Sequence, residues 1–207
     1  LFIALLVTMA MAILLGMGMP SVPAYINVAL LMGPMLVGLG IATFTAHMFI
    51  FYFAVASAIT PPVAIAAFAA SSLTKADPMQ TGFSAVKSGI IMFVIPFIFA
   101  FYPELLLIDA AKIDPNSSSG EFLPGYEGSI SFFDMIWLLL RLSLALYLIS
   151  SALAKFDRLT LSMPEVVIRI IVAIFIIMNT PTFYGIGISA AALLLIYHQI
   201  QYNKNAT

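Results

Sequence analysis

Long apolar runs, separated by short clusters of glycine, proline and charge, set the pattern of this chain. They cover residues 1–15, 24–36, 44–70, 89–107, 132–153, 164–178 and 184–197. None alternates apolar and polar positions in steps of two, so the pattern of a membrane β-barrel is absent. Apolar stretches of about 20 residues cross a bilayer as helices. The pattern therefore predicts an all-α integral membrane protein. Its parts are a re-entrant hairpin, a discontinuous helix and then about four ordinary transmembrane helices.

The hairpin is expected over residues 1–36. Gly16-Met17-Gly18-Met19-Pro20-Ser21-Val22-Pro23 separates its two arms. Glycine there permits backbone conformations and close approaches closed to other residues. The second arm is only about 13 residues long, short for a span. Gly33, Pro34, Gly38 and Gly40 then mark a surface connection up to Thr45.

The discontinuous helix is expected over residues 46–72. Ala56-Ser57-Ala58-Ile59-Thr60-Pro61-Pro62-Val63 stands in its middle. Proline has no N–H and its ring clashes with the turn before it, and the residue before a proline is pushed out of helical geometry. The helix should break near Thr60 and restart after Pro62, leaving carbonyls without helical donors. In hydrocarbon such groups are tolerated only where protein or a water-filled cavity satisfies them. The break is thus a candidate site for an ion or a polar substrate. The competing expectation is a proline kink packed against its neighbours.

Residues 73–88, with Lys75, Asp77 and Lys87, are expected to form a cytoplasmic loop, and residues 89–107 a transmembrane helix kinked at Pro96. Residues 108–131 read as an acidic extracytoplasmic loop, a solvated linker. Residues 132–207 read as an appended three-helix membrane segment and a cytoplasmic tail. Pro164 opens the second of these helices, a position that suits proline, and Asn179-Thr180-Pro181 is a turn before the third. The orientation follows the positive-inside rule: Lys75, Lys87, Lys155, Arg158 and Lys204 fall in one alternating set of connections. His47 is expected at the headgroup level. Arg169 is expected to snorkel toward the cytoplasmic end. Arg141, a charge deep in a span, is expected to serve packing or assembly.

Composition supports this class. Only 8% of residues are charged, against about 25% in a soluble domain. The net charge of −1 gives no electrostatic case for nucleic acid. Without cysteine, disulfides and thiolate metal sites are excluded. His47 and His198 are not spaced as a ligand pair. No nucleophile–base pair or paired carboxylates occur in any span, so neither an enzyme nor catalytic residues are expected, and no organic cofactor.

Gly16-Met17-Gly18-Met19-Pro20, Ala46-His47-Met48-Phe49-Ile50-Phe51-Tyr52-Phe53, Ser57-Ala58-Ile59-Thr60-Pro61-Pro62-Val63-Ala64, Asp77-Pro78 and Pro96-Phe97 occur in that order. In sequence and spacing they resemble the large membrane subunit of TRAP transporters, the tripartite ATP-independent periplasmic type. The likeness is greatest to the fused permeases that work with TAXI-type binding proteins. It covers residues 1–109 and implies the C-terminal portion of a longer permease, which fits a chain that opens inside an apolar run with Leu-Phe-Ile-Ala-Leu-Leu. One departure is Pro20-Ser21-Val22-Pro23, where Pro-Thr-x-Ala is more usual. The resemblance implies a sodium-driven secondary transporter of the bacterial inner membrane. An extracytoplasmic solute-binding protein would deliver a small solute, often an organic acid. A small-subunit membrane region, fused or separate, would accompany it, and the transport domain would move as an elevator.

The residues then suggest where sodium, the coupling ion, would sit. A hard cation takes several oxygens, and the proline break offers carbonyls at a fixed place. The expected sodium and substrate site comprises Gly16, Gly18, Met19, Ser21, Ser57, Ala58, Thr60, Pro61 and Pro62, with the ion at Gly18, Ser57, Ala58 and Thr60. No carboxylate is needed, because half-helix ends and carbonyl dipoles favour a cation. A function from another class stands beside this one: a non-transporting membrane assembly or docking segment in which the broken helix is only a kink.

Overall fold

A computed structural model describes residues 1–107, 132–178 and 180–206. The acidic linker 108–131 and Asn179 of the expected turn lie outside the described residues. The chain is an all-α membrane protein and divides into two compact units, Leu1–Ile130 and Ser131–Thr207.

The first unit holds α1 (Phe2–Gly16), α2 (Ser21–Gly38), α3 (Thr43–Ala56), α4 (Ile65–Thr74), α5 (Pro78–Ser88) and α6 (Ile90–Phe101). α3 is its hub and packs against α1, α2 and α6. Its buried positions, Thr45, Ala46, Phe49, Ile50, Phe53, Ala54 and Ala56, cover more than one face. A helix apolar nearly all round is one that neighbours enclose. The rings of Phe49, Phe53 and Phe97 pack edge to face with centroids 4.9, 5.3 and 5.9 Å apart. Fully burying one such ring stabilises by roughly 1.5–3 kcal/mol. The Tyr25 hydroxyl meets His47 Nδ1 at 2.9 Å and ties α2 to α3.

Several elements depart from the expected bounds. α2 continues through Gly33 and Pro34 to Gly38, so the connection to α3 shrinks to residues 39–42, turning at Gly40 with φ +90°. Gly33 is buried, and a Cβ there would lie 3.9 Å from the His47 ring. It is a packing contact rather than a turn. The polar stretch 73–88 is not a plain loop. Asp77 caps α5 by accepting from Gln80 N at 2.8 Å, and Pro78 opens it. α6 ends at Phe101, and a 3₁₀ turn covers Pro103–Leu106. α5 and α6 meet at a 43° bend. Among the described residues three helical segments are long and apolar enough to cross a membrane: Ser21–Gly38, Phe132–Ala154 and Pro181–Lys204. The bent pair α5–α6 makes a fourth if it counts as one span.

The second unit packs α7 (Phe132–Ala154) on α8 (Met163–Ile177) and α8 on α9 (Pro181–Ala206). Ala145, Leu148, Val172, Ala173, Ile176 and Ala191 form its core. α9 runs nine residues past Tyr197, so the polar tail is helical. Gln199 Nε2 to Asn203 Oδ1 at 2.9 Å supports that last stretch. Arg169 does not snorkel. It is 2% exposed, donates to Ser151 Oγ at 2.6 Å and pairs with Asp157 Oδ2 at 2.9 Å. Asp157 Oδ1 accepts from the Tyr147 hydroxyl at 2.7 Å. Arg141 is buried with its guanidinium 4.6 Å from the Tyr184 ring centroid.

Burial pushes the Asp157 carboxyl upward, but the hydrogen bonds from Tyr147 and Arg169 and the Arg169 charge outweigh it and hold the group below the usual carboxylate range. Asp157→Ala strands Arg169 as an unpaired buried charge and should cost the second unit about 3–5 kcal/mol, read by unfolding in detergent. The folded-state value is depressed. The pair's stabilisation is therefore full above the ordinary carboxylate value near about pH 4 and is lost as pH falls through the lowered one. The wild type should show that acid step, and the variant should lack it.

Candidate functional site

Two interrupted helices meet in the first unit. α1 ends at Gly16, and Met17–Pro20 carry the chain to α2. α3 ends at Ala56, tightens into a 3₁₀ turn over Ser57–Ile59, and the chain resumes as α4 at Ile65. The sequence forces both breaks. Gly18 takes φ +79°, a conformation only glycine adopts without strain. Pro61 and Pro62 have no N–H to continue α3. Thr60 is extended (φ −96°, ψ 120°), as a residue before proline should be.

The breaks are in contact. A Cβ on Gly16 would lie 2.5 Å from Ser57 Oγ, 2.8 Å from Ser57 Cβ and 3.4 Å from the Ala54 carbonyl oxygen. The C-terminal ends of α1 and α3 therefore converge. Helix C-termini carry partial negative charge, so the junction is electronegative without a carboxylate. Both flanking hydroxyls point their protons back at the helix: Ser57 Oγ donates to the Ala54 carbonyl at 2.7 Å and Thr60 Oγ1 to the Ala56 carbonyl at 2.8 Å. A hydroxyl that has given its proton keeps its lone pairs. The Ser57 carbonyl accepts from Thr60 N and the Thr60 carbonyl from Ala64 N, each at 3.2 Å. Each retains a second lone pair.

Not every predicted residue joins this junction. Gly16 and Ser57 are together, and both are buried. Gly18 faces Val63, 4.0 Å from where its Cβ would be. Thr60 and Pro61 are half-buried, and Ala58 and Pro62 are exposed. Met19 bonds within the α1–α2 turn, its N–H donating to the Gly16 carbonyl at 3.3 Å. Ser21 opens α2. Neither of these two hydrogen-bonds to the broken helix. Sequence reasoning missed Gly82 of α5. A Cβ there would lie 3.0 Å from Pro61 Cγ and 3.5 Å from Ala64 Cβ, so α5 covers the proline break through this glycine. Gly89 similarly faces the Ile59 side chain. The available signal was one glycine inside a capped polar helix and another at its C-terminal end.

Gly16→Ala must push the α1 end off Ser57. It should destabilise the first unit by about 1–3 kcal/mol, as other overpacked sites do. Gly185→Ala places its Cβ in open space and should leave the melting curve of the detergent-solubilised protein within about 0.5 kcal/mol of wild type.

A family model described as "Tripartite ATP-independent periplasmic transporter, DctM component" matches residues 1–112, more than half of the chain. No curated protein and no solved structure matches it. The match spans α1 to α6, the region that holds both interrupted helices. This chain belongs to the family of DctM components, the membrane permeases of tripartite ATP-independent periplasmic transporters.

Proposed function

We propose that this permease imports a small organic acid into bacteria, driven by sodium and dependent on an extracytoplasmic solute-binding protein. The observation that carries the reading is the convergence of two helix C-termini at Gly16 and Ser57, an arrangement that favours a cation over an anion. Sodium would take oxygens from Gly18, Ser57, Ala58 and Thr60, with the Ser57 and Thr60 hydroxyls already turned to present lone pairs. Gly16, Met19 and Ser21 would form the tip beside it, and Pro61 and Pro62 would hold the break open. α1 and α2 would be a re-entrant hairpin entering from the outer face of the inner membrane. The unit would move as an elevator against a small-subunit membrane region, fused in the TAXI manner or separate. These points rest on the site's dipoles and oxygens together with the family resemblance.

The test is uptake by the full-length protein in proteoliposomes, with its binding protein present and sodium varied. Thr60→Ala should weaken sodium affinity by about 1–3 kcal/mol if one buried oxygen is lost, while Thr60→Ser should retain most of it. Gly18→Ala, strained at φ +79°, should also shift the sodium dependence. Sodium affinity should change little between about pH 6 and 8, where a histidine ligand would titrate. If Thr60→Ala and Gly18→Ala both leave the sodium dependence as in wild type, the break is a packed proline kink and the ion site is elsewhere.

A further inference from the structure

The second unit lies beyond the residues that the family model covers. One of its ends carries a polar cavity. Tyr147 of α7, Asp157 and Arg158 of the α7–α8 connection, and Leu195, His198 and Gln199 of α9 line a space of about 200 Å³. Lys155 stands in the same connection, and Arg158 lies 5.9 Å from the Tyr202 ring near the end of α9.

The polar groups at the cavity are unevenly partnered. Asp157 is spent: one oxygen accepts from Tyr147 and the other from Arg169. Glu165 keeps its charge but is held by neutral donors, Oε2 accepting from both the backbone N–H and the hydroxyl of Ser162 at 2.8 and 2.7 Å. Its Oε1 stands 4.0 Å from His198 Nδ1, beyond hydrogen-bond reach. Among the described residues no carboxylate pairs with Arg158. Its guanidinium donates to the neutral Gln199 side chain and is otherwise exposed. His198 is 4% exposed, yet neither ring nitrogen has a hydrogen-bond partner among the described residues. Burying such a group without a partner is costly. A ligand that accepts from His198 and from the spare guanidinium N–H groups would remove that cost.

We propose that this cavity binds a phosphate group. Tetrahedral phosphate oxygens suit the planar fork of Arg158, and the buried imidazole of His198, which lines the same cavity, supplies a second donor. α7 and the 181–204 segment of α9 are each long and apolar enough to span a membrane, and the cavity lies at their polar ends. A phosphodiester headgroup in the adjoining leaflet and free phosphate share the recognised chemistry, and the test separates them.

The full-length protein in detergent is titrated with inorganic phosphate, with short-chain phosphatidylglycerol and with diacylglycerol, which has the same acyl chains and no phosphate. Thermal stability and ³¹P line broadening are read. Saturable stabilisation by phosphatidylglycerol but not by diacylglycerol identifies a headgroup site, and saturation by inorganic phosphate alone identifies a free-anion site. In either case Arg158→Gln, at an exposed position, should weaken binding by about tenfold or more, and His198→Asn should also weaken it. Absence of saturable phosphate-dependent binding overturns the proposal. So does binding that Arg158→Gln leaves unchanged while that variant melts like wild type.

Discussion

A helix that stops short leaves terminal carbonyls without helical donors, and the first unit is built around that constraint. α3 stops at Ala56, yet little of its terminal backbone is abandoned. The 3₁₀ turn over Ser57–Ile59 returns one bond, from Thr60 N to the Ser57 carbonyl. Ser57 and Thr60 turn their hydroxyls onto the Ala54 and Ala56 carbonyls. Glycine at 16 lets the end of α1 close over the same place, and glycine at 82 lets α5 close over Pro61. Larger residues at either glycine would hold a helix away from the break. The two small residues and the two hydroxyls thus answer one requirement, although they come from three different parts of the chain.

Much of this fold was legible because its signals are local. The Pro-Pro pair and the Gly/Pro cluster after Leu15 act on their own backbone, and the structure breaks its helices at both places. The misread elements are those whose local signal a neighbour overrides. Gly33-Pro34 looks like a turn, but Gly33 seats against His47 and the helix carries on to Gly38. The stretch 73–88 looked like a loop because it is polar, although Asp77 before Pro78 is a helix start and the helix has α4 to lie on. The tail after Tyr197 stands apart from the last span by its polarity, but α9 runs on through it, with side-chain bonds one turn apart. Arg169 sits close enough to a helix end to snorkel, and only the fold shows Asp157 and Ser151 waiting for it.

Some residues of the candidate junction stand out in the sequence, but their arrangement does not. Ser57, Thr60, Pro61 and Pro62 announce themselves by type and spacing. That Gly16 rather than Gly18 is the residue pressed against Ser57 depends on how α1 crosses α3, and no spacing along the chain encodes it. Gly82 was invisible for the same reason: its importance lies wholly in Pro61, which it touches from another helix.

The two units handle polarity in different ways. The second unit buries full charges and fixes them: Arg169 and Asp157 hold each other, with Ser151 and Tyr147 completing the set. Removing either partner would strand the other, so the arrangement suits permanent structure. The junction in the first unit uses neutral hydroxyls, carbonyls and helix ends, and no acidic residue precedes Asp77. Such a place is only partially negative, so it does not carry an unpaired full charge when no cation is present. A conducting site must bind strongly enough to load and weakly enough to release. On the proposed reading, partial charges meet both demands better than a carboxylate would, because the junction can hold its geometry with the ion gone.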